Sequence, residues 1–339
     1  MINLNKRKIL IIHLSGIGNS IMMYPLLFSL NKSKKNDEIH ILFKDKVACE
    51  LLNSTKNINK VFIYQNSKNP ILKFIKRLFL ISPLLFSNFD YIINTEIKQS
   101  FMNQFLMIIL RSKNKIFVNN SFGCSIKYDE RKSEIDLYKK IGKILKINWY
   151  MPTKPFFDNA KTEFCETIHS FKTKKIGIHV GSGENMIFKR WPDQSFSKLL
   201  SIIEMKRNCL VLFFGGKEEI EIVNRVINAS KIKKFFNFCG KFNILDTAKI
   251  ISNCDVFVSN DSGLLHLASS MGVPVIGIYG PTSLTKNKPF GTQNILIHEG
   301  PCKKESNYMC LKCELNFKKY QETPLCLRRV KADKVLKYI

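Results

Sequence analysis

The chain has 339 residues, 45% of them hydrophobic, with 16 glycines and 11 prolines. That composition excludes collagen-like, low-complexity and disordered classes and leaves room for about two folded domains. Lysine plus arginine number 54 against 27 aspartate plus glutamate, a formal net charge of +27 that calls for an anionic partner: nucleic acid, an anionic membrane surface or an anionic small molecule.

The lysines are dispersed, with no arginine-rich arm and no aromatic-interleaved basic block, so much of the charge reads as solvated background and no nucleic-acid partner is expected. Met1–Lys8 leads into only a short apolar run before Ser15 and Gly16, which reads as a first strand and not as a signal peptide. The longest apolar stretches, Leu78–Phe86 and Phe105–Leu110, fall well short of the roughly 18–20 residues that a spanning helix needs. A cytoplasmic location is expected, and ten cysteines in such a chain do not imply a disulfide framework.

Lys8–Leu14 reads as a buried strand ending at Ser15-Gly16-Ile17-Gly18-Asn19-Ser20, where a helix carrying Pro25 begins and runs to about Leu30. Two glycines at a strand-to-helix turn bring backbone close to a ligand. Ile21 stands where the dinucleotide fingerprint has its third glycine, so a nicotinamide cofactor is not expected. Strands are expected near 38–43, 60–64, 89–93 and 114–118, with helices near 46–54, 70–87 and 97–111, an alternation that means a parallel sheet with helices on both faces. Within the second helix, Ile71–Ile81 mixes an apolar face with Lys73, Lys76 and Arg77; a helix packed on the sheet is favoured over one lying in a membrane interface.

From Trp149 to Lys175 the pattern loosens into a connection with one helix around 159–171. Strands are then expected near 175–180, 209–214, 233–238, 254–259, 273–279 and 293–298, and helices near 193–206, 217–229, 244–252 and 262–271. The chain therefore reads as α/β: a first doubly wound domain over 1–150, a linker over 151–174, a second doubly wound domain over 175–328 and a last helix over 329–339. Ligands in such sheets sit beyond the C-terminal strand ends, so the turns after strands 8–14, 175–180, 209–214 and 254–259 are expected to face one cleft.

The most informative stretch is Val256–Ala268 with Val273–Thr282: strand, Asp261-Ser262-Gly263 turn, short helix, strand, Gly280-Pro281-Thr282 turn. Amides at a helix start suit a phosphate or diphosphate, with Ser262, His266 and Thr282 as side-chain donors. After strand 175–180, the Gly181-Ser182-Gly183 loop closes on Lys189-Arg190 and a Trp191-Pro192 helix start, which places two cations over a phosphate leaving group. After strand 209–214, Gly215-Gly216-Lys217-Glu218-Glu219 offers a strand-end carboxylate of the kind that accepts from ribose hydroxyls, although a glutamate pair opening a helix is also a favourable dipole contact.

In this order, these features resemble glycosyltransferase family 9, the heptosyltransferases of lipopolysaccharide core assembly: the Gly16-Ile17-Gly18-x-Ser20 turn with Pro25, Lys189-Arg190-Trp191-Pro192, Gly215-Gly216-x-Glu218, Asn260-Asp261-Ser262-Gly263-x-x-His266-x-Ala268, and Tyr279-Gly280-Pro281-Thr282. The resemblance covers nearly the whole chain. It implies a GT-B fold, two Rossmann-like domains facing a cleft, and an inverting transfer of a sugar such as heptose from a nucleotide-diphosphate donor of the ADP-heptose kind. By the same resemblance, the first domain, with Gly16, Gly18 and Asn19, binds a lipopolysaccharide core or related lipid-linked glycan. The second binds the donor through Gly181, Ser182, Lys189, Arg190, Glu218, Asp261, Ser262, Gly263, His266 and Thr282, with Lys189 essential at the phosphate and Glu219 standing as an alternative to Glu218. The last helix is expected to pack back on the first domain. No cofactor is required, and a peripheral position on the anionic inner face of the plasma membrane fits a lipid-linked acceptor.

One position departs from the pattern: Asn19 stands where the family places an aspartate as general base, and an amide cannot take the proton. His13, Glu96 and Asp90 are the other candidates in the first domain, with His13 read as a satisfied core residue. The alternative is a scaffold protein that binds donor without using it. In the tail, Cys302, Cys310, Cys313 and Cys326 are spaced C-x7-C-x2-C-x12-C; a tetrathiolate metal site, reduced core thiols and a disulfide all stay open.

Overall fold

The computed structural model describes residues 6–33, 36–44, 46–53, 58–64, 79–97, 100–119, 124–129, 131–152, 163–291, 293–300 and 323–339. Two compact units divide the chain, Met1–Thr153 and Lys154–Ile339.

In the first unit the elements are β1 (Lys8–His13), α1 (Ile17–Lys32), β2 (Glu38–Phe43), α2 (Lys46–Asn53), β3 (Lys60–Ile63), helical residues 79–85 (α3), β4 (Asn88–Asn94), α4 (Phe101–Ile109), β5 (Arg111–Val118), β6 (Cys124–Ile126) and α5 (Glu134–Ile144). The strands pair in the order β3-β2-β1-β4-β5-β6, all parallel. β1 is buried along almost its whole length because helices cover both faces, which is why it reads as a continuous apolar run and not an alternating one. Leu10, Ile12, Leu42, Phe62, Ile92 and Phe117 share one core with Ile81 and Leu84 of α3 and Leu106 and Met107 of α4. α5 packs against α1. Of the amphipathic segment that starts at Ile71, residues up to 78 lie outside the described residues.

α5 and β6 were not anticipated. α5 follows the charged run Asp129–Lys132, which reads as loop, yet Ser133 caps it by accepting from the Ile135 amide, and Leu137, Tyr138 and Ile141 form its buried face.

The second unit contains α6 (Glu163–Ser170), β7 (Lys174–His179), a 3-10 segment (Glu184–Lys189), α7 (Asp193–Lys206), β8 (Cys209–Phe214), a 3-10 turn (Lys217–Glu219), α8 (Ile220–Ser230), β9 (Phe235–Asn237), α9 (Ile244–Ile251), β10 (Val256–Asn260), α10 (Gly263–Ser270), β11 (Val275–Ile278), β12 (Asn294–Ile297) and two short helices, Leu325–Arg329 and Ala332–Leu336. Its sheet, β12-β11-β10-β7-β8-β9, is also wholly parallel and repeats the first unit's topology. In each sheet the strand order reverses between the first and fourth strands, so the crevice beyond their C-terminal ends is where a ligand is expected. Those ends are His13 and Asn94 in the first unit, and His179 and Asn260 in the second.

The two short C-terminal helices contribute side chains to the second unit's own core. Val330, Ala332, Val335 and Ile339 are buried in the second unit's core with Trp191 and residues of α7 and β8, where their apolar side chains leave water.

Candidate active site

In the second unit, Asn260 ties together the turns at the switch point. Its side-chain amide donates to the Val180 and Gly181 carbonyls, at 2.7 and 2.9 Å, and its oxygen accepts from the Trp191 backbone amide at 2.9 Å. The Trp191 indole is fully buried, edge-on to Phe196, and donates to the Val330 carbonyl at 3.0 Å. The Trp-Pro pair is thus an anchor, and Lys189, two residues earlier, is positioned by it.

Lys189 Nζ lies 3.1 Å from Asp261 Oδ2. Asp261, buried at the end of β10, also accepts from the Asn287 side-chain amide at 2.9 Å, and its other oxygen is 3.9 Å from His266 Nε2. Burial pushes this carboxyl up, but the Lys189 charge foremost, helped by the Asn287 hydrogen bond, more than offsets it and holds it ionised. The Thr282 hydroxyl faces the same carboxylate without reaching hydrogen-bond geometry. Among the described residues, neither Thr282 Oγ1 nor His266 Nδ1 has a hydrogen-bond partner, although both are buried. Burial lowers the His266 imidazole to about 4, against a smaller upward pull from Asp261, so the ring is neutral at pH 7. Unsatisfied buried polar atoms beside an ion pair are what a site for a polar, anionic ligand looks like before the ligand arrives.

A second cluster adjoins it. Glu219, 2% exposed, accepts from His179 Nε2 at 2.9 Å and from the Gly183 and Gly216 amides, each at 3.0 Å, with Arg190 at 3.8 Å. Burial raises this carboxyl, but His179 and the two amides outweigh it and leave it well below the usual carboxylate range. His179 Nδ1 meets the Ser259 and Ser262 hydroxyls at 3.1 and 2.9 Å, and Ser262 caps α10 by accepting from Leu265 N. A Cβ on Gly181 would lie 1.6 Å from Glu219 Oε1, so this glycine makes room for the carboxylate. Ser182 donates to the Met186 carbonyl at 2.6 Å, while Arg190 donates to Ser182 and to the Gly183 carbonyl. Gly181, Ser182 and Arg190 therefore shape the loop, and Gly263 opens α10 behind the Ser262 cap. Glu218 is exposed at the same turn.

The sequence-predicted set divides accordingly. Lys189, Asp261, His266 and Thr282 converge; Gly181, Ser182, Arg190 and Ser262 meet around Glu219 and His179. No local sequence pattern marks His179 or Asn287, which join these clusters through Glu219 and Asp261.

At the first unit's switch point, Gly16 precedes α1 and is exposed; a Cβ there would meet no atom within 4 Å, so the space it leaves is open. Gly18 and Asn19 lie in the first turn of α1, and the Asn19 carbonyl is 3.5 Å from the Tyr138 hydroxyl. His13 is saturated: Nδ1 meets Thr95 Oγ1 at 2.8 Å, Nε2 meets Ser20 Oγ at 3.0 Å, and burial lowers the ring to about 3. Asp90 accepts from the Lys8 amide at the start of β1, so it lies at the end of the sheet away from the switch point. Glu96, just beyond β4, accepts from the Leu14 amide at 2.7 Å and from Ser15 Oγ at 2.9 Å.

Cys302, Cys310 and Cys313 lie outside the described residues; Cys326 is buried in the second unit's apolar core. Among the described residues no group of three His, Cys, Asp or Glu side chains is placed to hold a metal ion, and no helix is long and apolar enough to cross a membrane.

Two doubly wound parallel units, each with its switch point, are the architecture of the GT-B fold, and solved structures share it. A family 9 glycosyltransferase from Veillonella parvula superposes with a TM-score of 0.74 at 18% identity, covering 99% of this chain and 97% of the other. The Escherichia coli ADP-heptose lipopolysaccharide heptosyltransferase II superposes at 0.69 and 18%, covering 97% and 96%. Residues 137–316 match glycosyltransferase family 9 (heptosyltransferase), and the chain belongs to that family. It is 26% identical to lipooligosaccharide heptosyltransferase 2 of Campylobacter jejuni serotype O:6 over 97% of both chains.

Proposed function

We propose that this glycosyltransferase moves a heptose from ADP-heptose to a lipopolysaccharide core or related lipid-linked glycan, with inversion at the anomeric carbon. The second unit holds the donor and the first the acceptor. The observation that carries the donor assignment is the pair of buried, unpartnered atoms, His266 Nδ1 and Thr282 Oγ1, beside the Lys189–Asp261 ion pair. In this reading the diphosphate takes up Lys189 together with the first-turn amides of α10, and the two unpartnered atoms gain partners on the donor. Charge developing on the departing diphosphate is then met by a lysine and a helix N-terminus already in place. Relatives named as lipooligosaccharide and lipopolysaccharide heptosyltransferases support the sugar and the acceptor class.

The protein works at the anionic inner face of the plasma membrane in this proposal. α3 and α4 share one face of the first sheet and leave Phe79, Phe86, Phe101 and Ile108 at 75–88% exposure, in a chain of net charge +27. Apolar wedges with a cationic background suit an anionic bilayer surface.

The test is Lys189→Ala in an assay of acceptor-dependent ADP release from ADP-heptose. The expected result is a loss of turnover of ~100-fold or more, the low end for removing a preorganised electrostatic contact to developing charge. Turnover within a few-fold of the wild type would count against the role given to Lys189.

A further inference from the structure

The turn at the first unit's switch point has an internal counterpart. Ile12 pairs with Asn94 across β1 and β4, and His179 pairs with Ser259 across β7 and β10. Extending both registers makes Glu96 the counterpart of Asn260. Both side chains clamp the adjacent turn: Asn260 donates to the Val180 carbonyl, and Glu96 accepts from the Leu14 amide. Asn260 shows that a neutral amide suffices for such a clamp, so a carboxylate at Glu96 has another reason to be there.

We propose that Glu96 is the general base that accepts the proton of the acceptor hydroxyl. Its carboxylate stands beyond the C-terminal end of β4, bound to Ser15 and Leu14, next to the open space at Gly16 and to a first turn in which Asn19 has no basic group. Two other described carboxylates of this unit, Asp129 and Glu134, are committed differently. Asp129 pairs with Arg131 on its own loop, and Glu134 is buried, with the Tyr138 hydroxyl donating to it at 3.0 Å. Among the described residues, the charged and titratable groups that act on Glu96 include Lys44 beyond β2 and Tyr138 on α5, with Glu134 behind the phenol. Burial raises the Glu96 carboxyl; the Ser15 and Leu14 hydrogen bonds and Lys44 pull it down by less, which leaves it a better base than an exposed glutamate.

The inference rests on the transfer reaction proposed above. In the step, the acceptor O–H proton passes to the Glu96 carboxylate. The acceptor oxygen bonds to the anomeric carbon, the bond from that carbon to the diphosphate oxygen breaks, and the electron pair leaves on the diphosphate.

The experiment is Glu96→Gln, because glutamine Oε1 can still accept from Leu14 and Ser15. Wild type and variant are compared in kcat, ADP-heptose KM, pH profile and thermal midpoint. The expected result is a kcat loss of ~100-fold or more, with KM and thermal midpoint within threefold and a few degrees, roughly. The acid limb of the wild-type profile should have its midpoint above 4.5, the ordinary glutamate value, and should vanish in the variant. Turnover within about threefold of the wild type, far below a base's usual contribution, or an unchanged acid limb, would make Glu96 a turn clamp like Asn260 and overturn the inference. Wild-type turnover tests the transfer reaction, and the ratio of variant to wild type tests Glu96, so the two fail separately.

Discussion

Glu218 and Glu219 stand side by side in the sequence, yet one is exposed and the other accepts three hydrogen bonds in the interior. Glu219 organises the loop that carries Ser182 and Arg190, and Glu218, exposed beside it, is the carboxylate we propose for the donor ribose. Glu218→Gln is therefore expected to raise the KM for ADP-heptose with the thermal midpoint unchanged. Glu219→Gln replaces a charged acceptor of three donors and should destabilise the second unit by about 1–3 kcal/mol, seen as a midpoint lower by several degrees; the reverse pattern would exchange the two roles. The sequence could not separate these neighbours. They lie on a 3-10 turn, where one residue swings the side chain by about 120°, and the deciding partners, His179 and Gly183, are 40 and 36 residues away. His179 and Asn287 escaped notice for the same reason: each is defined by contacts distant in sequence, and neither belongs to a local pattern. Lys189, Asp261, His266 and Thr282 were legible because each sits at a fixed offset from a strand end or a helix start.

Elements with strong periodicity were legible almost to the residue, as in β2, α7 and β8, where apolar runs are bounded by polar turns. β6 is three residues long and α5 opens from a charged run, so neither carried a signal strong enough to read. The end of the chain was legible as helix, and its apolar stripe, Val330, Ala332 and Val335, is what enters the second unit's core.

His13 joins three elements, β1, α1 and the end of β4, through Ser20 and Thr95. It is buried neutral with its folded value lowered to about 3 from 6.5. The unfolded chain therefore binds a proton that the folded chain refuses between those values. Its contribution to stability is complete above pH 6.5 and is lost as the pH falls toward 3, at about 1.4 kcal/mol per pH unit. His266 acts in the same direction over a narrower window, down to about 4. Thermal midpoints measured from pH 7 to pH 4 should fall, and His13→Gln should flatten the fall; an unchanged slope in the variant would mean that His13 is not the group responsible.

For the whole molecule, the charge and the exposed phenylalanines give one expectation. The protein should sediment with vesicles containing phosphatidylserine or phosphatidylglycerol and not with neutral ones. Binding should weaken as salt rises, since surface attraction is screened over about 10 Å at 0.1 M. Phe86→Asp with Phe101→Asp should abolish it; binding that survives both changes would move the membrane contact elsewhere.

In the proposed reaction the second unit's switch point is a donor site whose bound sugar is transferred. Incubation of the purified protein with ADP-heptose and a heptose-deficient lipopolysaccharide core acceptor, followed by mass spectrometry of the acceptor, tests it most directly. Gain of one heptosyl unit with equimolar release of ADP is expected, and none of either without acceptor. Thermal stabilisation by ADP-heptose with no gain in acceptor mass would contradict it and leave a protein that binds a donor without using it.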